Sequence, residues 1–166
     1  MNNTKSRAAI GFKPSKTMTN IESLKTKIIN RRQAGVFHFE SGNFDPIDAY
    51  DIPASLDAFV TRLGYKAIND QWIEINISDA RHIIVQILKE DLAYNYECMS
   101  EKEANTFVEE IFTTLNVDQG AQFFTNGNYY EEQGNSWCPI TNATFDTGVL
   151  ILNGQKINLV WVEDED

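Results

Sequence analysis

Val149-Leu150-Ile151-Leu152 is apolar at every position and runs into Asn153-Gly154, with Gln155–Val162 behind it. A strand that alternates apolar and polar residues buries one face, whereas a strand apolar throughout must be covered on both. Asn-Gly tolerates the positive φ angles of a type I′ turn, so Gly148–Val162 reads as a hairpin. A second Asn-Gly, at 126–127, lies between Phe123-Phe124-Thr125 and Asn128-Tyr129-Tyr130 and predicts another hairpin.

The remaining segments supply helices. Asn20 can cap a helix to about Gln33, with Ile21, Leu24 and Ile28 on one face and Gly35 as its stop. Val36–Glu40 alternates like a strand, and a loop follows from Ser41 to Ile52. Pro53 and Ser55 open a helix to Leu63, stopped by Gly64. Asn69-Asp70 predicts a hairpin between Tyr65–Ile68 and Gln71–Ile77, and Ser78 caps a helix to about Tyr94. Ser100-Glu101-Lys102-Glu103 is a capping box, followed by an apolar face of Ala104, Phe107, Val108, Ile111, Phe112 and Leu115. This order lacks the regular alternation of a parallel α/β fold. The expected class is α+β: about four helices on a mostly antiparallel sheet, with two Asn-Gly hairpins in the C-terminal third.

Charge divides the 166 residues unevenly. Residues 1–35 hold eight of the fourteen Lys and Arg with one acid, Glu22, a net of +7; the other six cations and 23 acids give −17. Residues 1–18 read as a flexible basic arm (Lys5, Arg7, Lys13, Lys16) and 19–166 as a single acidic globular domain. The helix carrying Lys25, Lys27, Arg31 and Arg32 has an apolar stripe and should dock on the acidic body, making part of the positive charge internal. The final Glu163-Asp164-Glu165-Asp166 repels itself and should be solvated. An acidic body disfavours direct nucleic-acid binding. No apolar run approaches the ~18 residues of a membrane span, and the polar N-terminus lacks the apolar core of a signal peptide. The expected location is therefore the cytoplasm, with Cys98 and Cys138 as free thiols.

Motifs that resemble chemistry are each incomplete. Asp146-Thr147-Gly148 has the letters of an aspartic-protease loop, and a hydrolase using Asp146 is the weaker alternative; such a site needs a second carboxylate and usually a small residue where Val149 stands. Trp137-Cys138-Pro139-Ile140-Thr141 is half of a redox motif, with Thr141 where the resolving cysteine belongs. His38 should pair with Glu40 on its strand face, and His82 should be solvated. Two histidines with scattered carboxylates specify no metal site, and no cofactor motif is present.

Adaptable Asn and Gly beside aromatic anchors suit recognition surfaces. That makes Phe124, Tyr129, Tyr130, Glu131, Glu132 and Trp137 candidate binding residues, with Asp45, Asp48 and Asp51 in the acidic loop. Lys5, Arg7, Lys13 and Lys16 are candidate arm contacts. The expected function is a non-enzymatic acidic binding protein, immunity- or inhibitor-like, covering a basic surface of a protein partner. The alternative is a structural subunit whose arm contacts neighbouring copies.

Overall fold

The computed structural model describes residues 16–46, 51–128 and 136–166. Four helices, α1 (Lys16–Arg31), α2 (Ile52–Arg62), α3 (Ile77–Lys89) and α4 (Glu101–Thr114), accompany seven strands. The strands are β1 (Val36–Asn43), β2 (Ile73–Ile75), β3 (Gln122–Thr125), β4 (Gly127–Asn128), β5 (Ser136–Trp137), β6 (Phe145–Asn153) and β7 (Lys156–Asp164). Five of them form an antiparallel sheet in the order β1-β7-β6-β3-β2, and β4 pairs with β5. The fold is α+β, as expected.

The apolar run 149–152 explains the layering. Alternate side chains point to opposite faces, so Val149 and Ile151 join Phe123, Val160 and Val162 under α1, α3 and α4. Leu150 and Leu152 join Phe124, Leu159 and Trp161 in a second core under α2 and residues 68–72. The β6–β7 hairpin is central, unbroken in register from Phe145↔Asp164 to Asn153↔Lys156, and turns at Gly154 with φ +60°. Each buried aliphatic or aromatic side chain contributes about 1.5–3 kcal/mol, so these two cores dominate the stability.

Several local expectations shift. α1 begins at Lys16, four residues before the Asn20 cap; the Ile21, Leu24 and Ile28 stripe, buried on the sheet, outweighs the capping preference of one Asn. Pro53 stands in the first turn of α2, as expected, and the cap is Asp51, its Oδ1 accepting from the Ala54 amide at 3.0 Å. Asn69-Asp70 makes no hairpin. The buried Asp57 carboxylate accepts from the amides of Ile68 and Asn69 and from Trp72 Nε1, all at 2.9 Å, which winds 69–71 into a 3₁₀ turn and sends β2 to pair with β3.

Asn76 rather than Ser78 caps α3. That helix stops at Lys89 because Asp91 accepts from the amides of Tyr94 and Tyr96 and folds the chain into a tight turn, with Asn95 at φ +56°. Ser100 caps α4, but Glu103 completes no box: its carboxylate is taken by Arg31 at 2.5 and 2.9 Å. At Asn126-Gly127 the chain does not reverse onto β3, whose two edges are already paired with β2 and β6. Gly127 instead pairs with Trp137, and Asn126 is buried.

Candidate functional site

One end of the sheet gathers five connections: the α1–β1 turn, the last residues of β7, the 91–97 turn, the end of α2 and the 140–143 loop. Their organiser is a buried ion pair whose acid, Asp164, belongs to the tail that sequence patterning places in solvent. Arg32 follows the last turn of α1 and donates to Asp164 Oδ2 at 2.7 Å, with side chains 0% and 4% exposed. Its guanidinium also donates to the carbonyls of Ile87, Ala34 and Glu90, while Asp164 accepts from the Leu92 amide at 2.7 Å. The acidic tail is thus not uniformly solvated; Asp164 turns inward because β7 alternates and places it on the helix-covered face. Gly35, at φ +55°, is required at the turn, since a Cβ there would fall on the Asp164 carboxylate.

A cleft of about 600 Å³ opens on the other face of the same sheet end, lined by Val36, Tyr65, Lys66, Ile140–Ala143, Glu163 and Glu165 among others. Beside it, the Tyr65 hydroxyl lies 3.0 Å from His38 Nδ1, and His38 Nε2 lies 3.2 Å from Glu163 Oε1. Burial first, then the charges of Glu40 and Glu163, pushes the Tyr65 phenol up to about 12. A phenol held protonated donates to Nδ1, leaving Nε2–H to donate to Glu163. The chain of three has the outline of a catalytic triad, but its tyrosine is no nucleophile; it fixes the Glu163 carboxylate. His38 therefore pairs with Glu163 across the strand, while Glu40 takes Lys25 at 2.6 Å. Glu165 is held in a similar way, its Oε2 accepting from the Thr144 hydroxyl at 2.7 Å and amide at 3.2 Å.

A second hollow, about 470 Å³, is lined by Arg31, Gln33, Ala34, Tyr96, Glu97 and Cys98. Both hollows meet the Gln33–Gly35 turn: Ala34 lines this one and Gly35 the cleft. Tyr94 and Tyr96 stand 59% and 72% exposed on the Asp91-braced turn, ring centroids 5.9 Å apart. Two large aromatics on a braced turn present contact area at low entropic cost. The Cys98 thiol is pushed up, mainly by burial, which makes it a poor nucleophile.

The residues expected to bind do not converge here. Phe124 is buried in the second core, and Trp137 is half-buried, stacked on Phe145 at 6.0 Å. A strand with both faces covered leaves no aromatic face open. Asp51 is a helix cap, and Asp45 meets Arg62 at 3.6 Å. Tyr129, Tyr130, Glu131, Glu132, Asp48, Lys5, Arg7 and Lys13 lie outside the described residues, and Lys16 is the first residue of α1. A helix expected to run to about Tyr94 leaves no turn at that point; Asp91 and Asn95, two turn formers around Tyr94 and Tyr96, are the sequence signal for one.

Asp146-Thr147-Gly148 has a structural explanation. Asp146 is fully buried and accepts from the Thr141 amide at 2.6 Å and Asn126 Nδ2 at 2.9 Å, and Thr147 donates to Asn126 Oδ1 at 2.9 Å. Gly148 leaves room for the Trp161 ring, which a Cβ would meet at 2.7 Å. Burial raises the Asp146 carboxyl above its ordinary range, against the lowering effect of those hydrogen bonds. The trio anchors the 140–143 wall of the cleft. Among the described residues no group of three or more His, Cys, Asp or Glu could hold a metal ion. Cys98 and Cys138 are both half-buried and unbridged. No helix among the described residues is long and apolar enough to cross a membrane.

Compared with known proteins, the chain matches no family model, no curated protein and no solved structure.

Proposed function

We propose that this chain is an acidic, non-enzymatic binding protein that covers a basic surface of a protein partner with the sheet end just described. The observation that carries the reading is the placement there of exposed Tyr94 and Tyr96 alongside Glu97, Glu163 and Glu165, on a turn and a strand locked together through Arg32 and Asp164. Aromatic anchors ringed by carboxylates suit Lys- and Arg-bearing surfaces, where charge steers encounter and the rings supply contact. Internal neutralisation supports it too. Lys25, Lys27, Arg31 and Arg32 are paired with Glu40, Glu110, Glu103 and Asp164, so the positive charge at this end of the chain is met by acids of the fold itself, at the surface for Lys27 and Arg31 and in the interior for Arg32. Two unbridged thiols fit a reducing compartment such as the cytoplasm.

Amide NMR titration with a Lys/Arg-rich peptide tests the reading. Shifts should concentrate in residues 33–36, 64–66, 94–98 and 140–143 and in 163–166, and weaken as salt is raised. Tyr96→Ala should lower the affinity without changing stability. Shifts spread evenly over every acidic surface, Glu22 and Asp118 included, would refute it.

A further inference from the structure

We infer that the cleft between the 140–143 loop and the end of β7 is an anchor pocket for one arginine side chain of the protein partner, an inference that rests on the binding reading above. The two carboxylates are each held by one oxygen and offer the other. Glu163 uses Oε1 on His38, and Glu165 uses Oε2 on Thr144, so among the described residues Glu163 Oε2 and Glu165 Oε1 accept no hydrogen bond. Both residues line the cleft. Glu163 lies in β7 and Glu165 one residue past its end; a continuing strand rise spaces such sites by about 6.6 Å. A planar guanidinium can meet a different carboxylate along each of two edges over such a span, whereas a compact ammonium meets them less well.

The rest of the wall fits the same side chain. Val36 and Ala143 give apolar contact to an aliphatic stem, and Tyr65 adds a half-buried ring whose hydroxyl is already committed to His38. The cleft lies at the C-terminal end of α2, just past Leu63, where the helix dipole favours a cation. Lys66 is the one cation among the described residues that line the cleft, against Glu163 and Glu165, so the lining keeps a negative balance suited to a guanidinium.

The experiment uses the full chain and three short peptides with uncharged flanks and blocked ends, differing at one central residue: arginine, lysine or citrulline. Amide NMR should show Arg-peptide shifts centred on residues 64–66, 140–143 and 163–165, at least about tenfold weaker binding for Lys and none for citrulline. Glu165→Gln should weaken Arg binding about tenfold, Glu22→Gln should leave it unchanged, and Lys66→Glu should strengthen it severalfold. Unchanged spectra elsewhere report that each variant is folded. Equal binding of Arg and Lys peptides, or indifference to both Glu165→Gln and Lys66→Glu, overturns the pocket. If the Lys/Arg-rich peptide still binds through Tyr94 and Tyr96 in that event, the binding reading stands; if it does not bind the wild type at all, both fall.

Discussion

Replacing Arg32 with methionine keeps much of its aliphatic volume but strips five hydrogen bonds from the sheet end. Asp164 would lose contacts at 2.7 and 3.3 Å and keep only the Leu92 amide, and the Ile87, Ala34 and Glu90 carbonyls would each lose a donor. Removing one member of a buried pair costs about 3–5 kcal/mol, because the remaining charge stays desolvated. Taking about 4 kcal/mol and about 2–4 °C per kcal/mol for a domain of this size, Tm should fall by roughly 8–16 °C. Urea denaturation followed by circular dichroism gives the free energy directly. The double variant Arg32→Met/Asp164→Asn should be less destabilised than the sum of the singles, by about 1–3 kcal/mol, since both remove the same interaction. Raising salt should leave the effect in place, because buried pairs are screened far less than surface pairs. A loss under about 1 kcal/mol for Arg32→Met, or strictly additive singles, would refute the role given to this pair.

Further outcomes follow from the buried titratable groups. Alkaline titration followed by tyrosinate absorbance should show one tyrosine ionising at about 12, absent in Tyr65→Phe; because the folded phenol is harder to ionise, the stability it confers is present below the unfolded value of about 10 and is lost as pH rises toward 12. Asp146→Asn keeps one acceptor where two are used, and should cost about 1–3 kcal/mol. The Asp146 carboxyl is raised in the fold, so its stabilising effect is full below the unfolded value of about 3.9 and declines as pH rises above it; the gap between wild type and Asp146→Asn should narrow over that rise, and a gap that widens would contradict the burial. Gly35→Ala should destabilise, by urea denaturation, through both its left-handed φ and contact with Asp164.

What was legible in the sequence followed from short-range rules. The 148–162 hairpin, the Ser100 cap and the α4 apolar face depend on residues within a turn or two of one another, and they stand as read. What failed depended on distant partners. Asp164 looks like one of four solvated acids until Arg32, 132 residues away, claims it. Asn69-Asp70 carries hairpin letters, yet Asp57 in α2 decides the local path. Asn126-Gly127 likewise follows its burial: the Asn126 amide donates to Asp146, and β3 has no edge left for a hairpin partner. The cleft draws Val36, Tyr65, Thr141 and Glu163 from four distant stretches of the chain, which is why spacing alone does not reveal it.

The Arg32–Asp164 pair also bears on synthesis. At roughly 5–20 residues per second, the 132 residues separating the two take on the order of 7–26 s to emerge. For that interval the Ile21, Leu24 and Ile28 stripe of α1 has no completed sheet to cover it, since β1, the strand on which α1 packs, joins the sheet only through β7. A nascent chain of this protein carries an exposed amphipathic basic helix until β7 leaves the ribosome. Its early ribosome-bound life is therefore the period of greatest dependence on holding chaperones, and Arg32 cannot be satisfied before that wait ends.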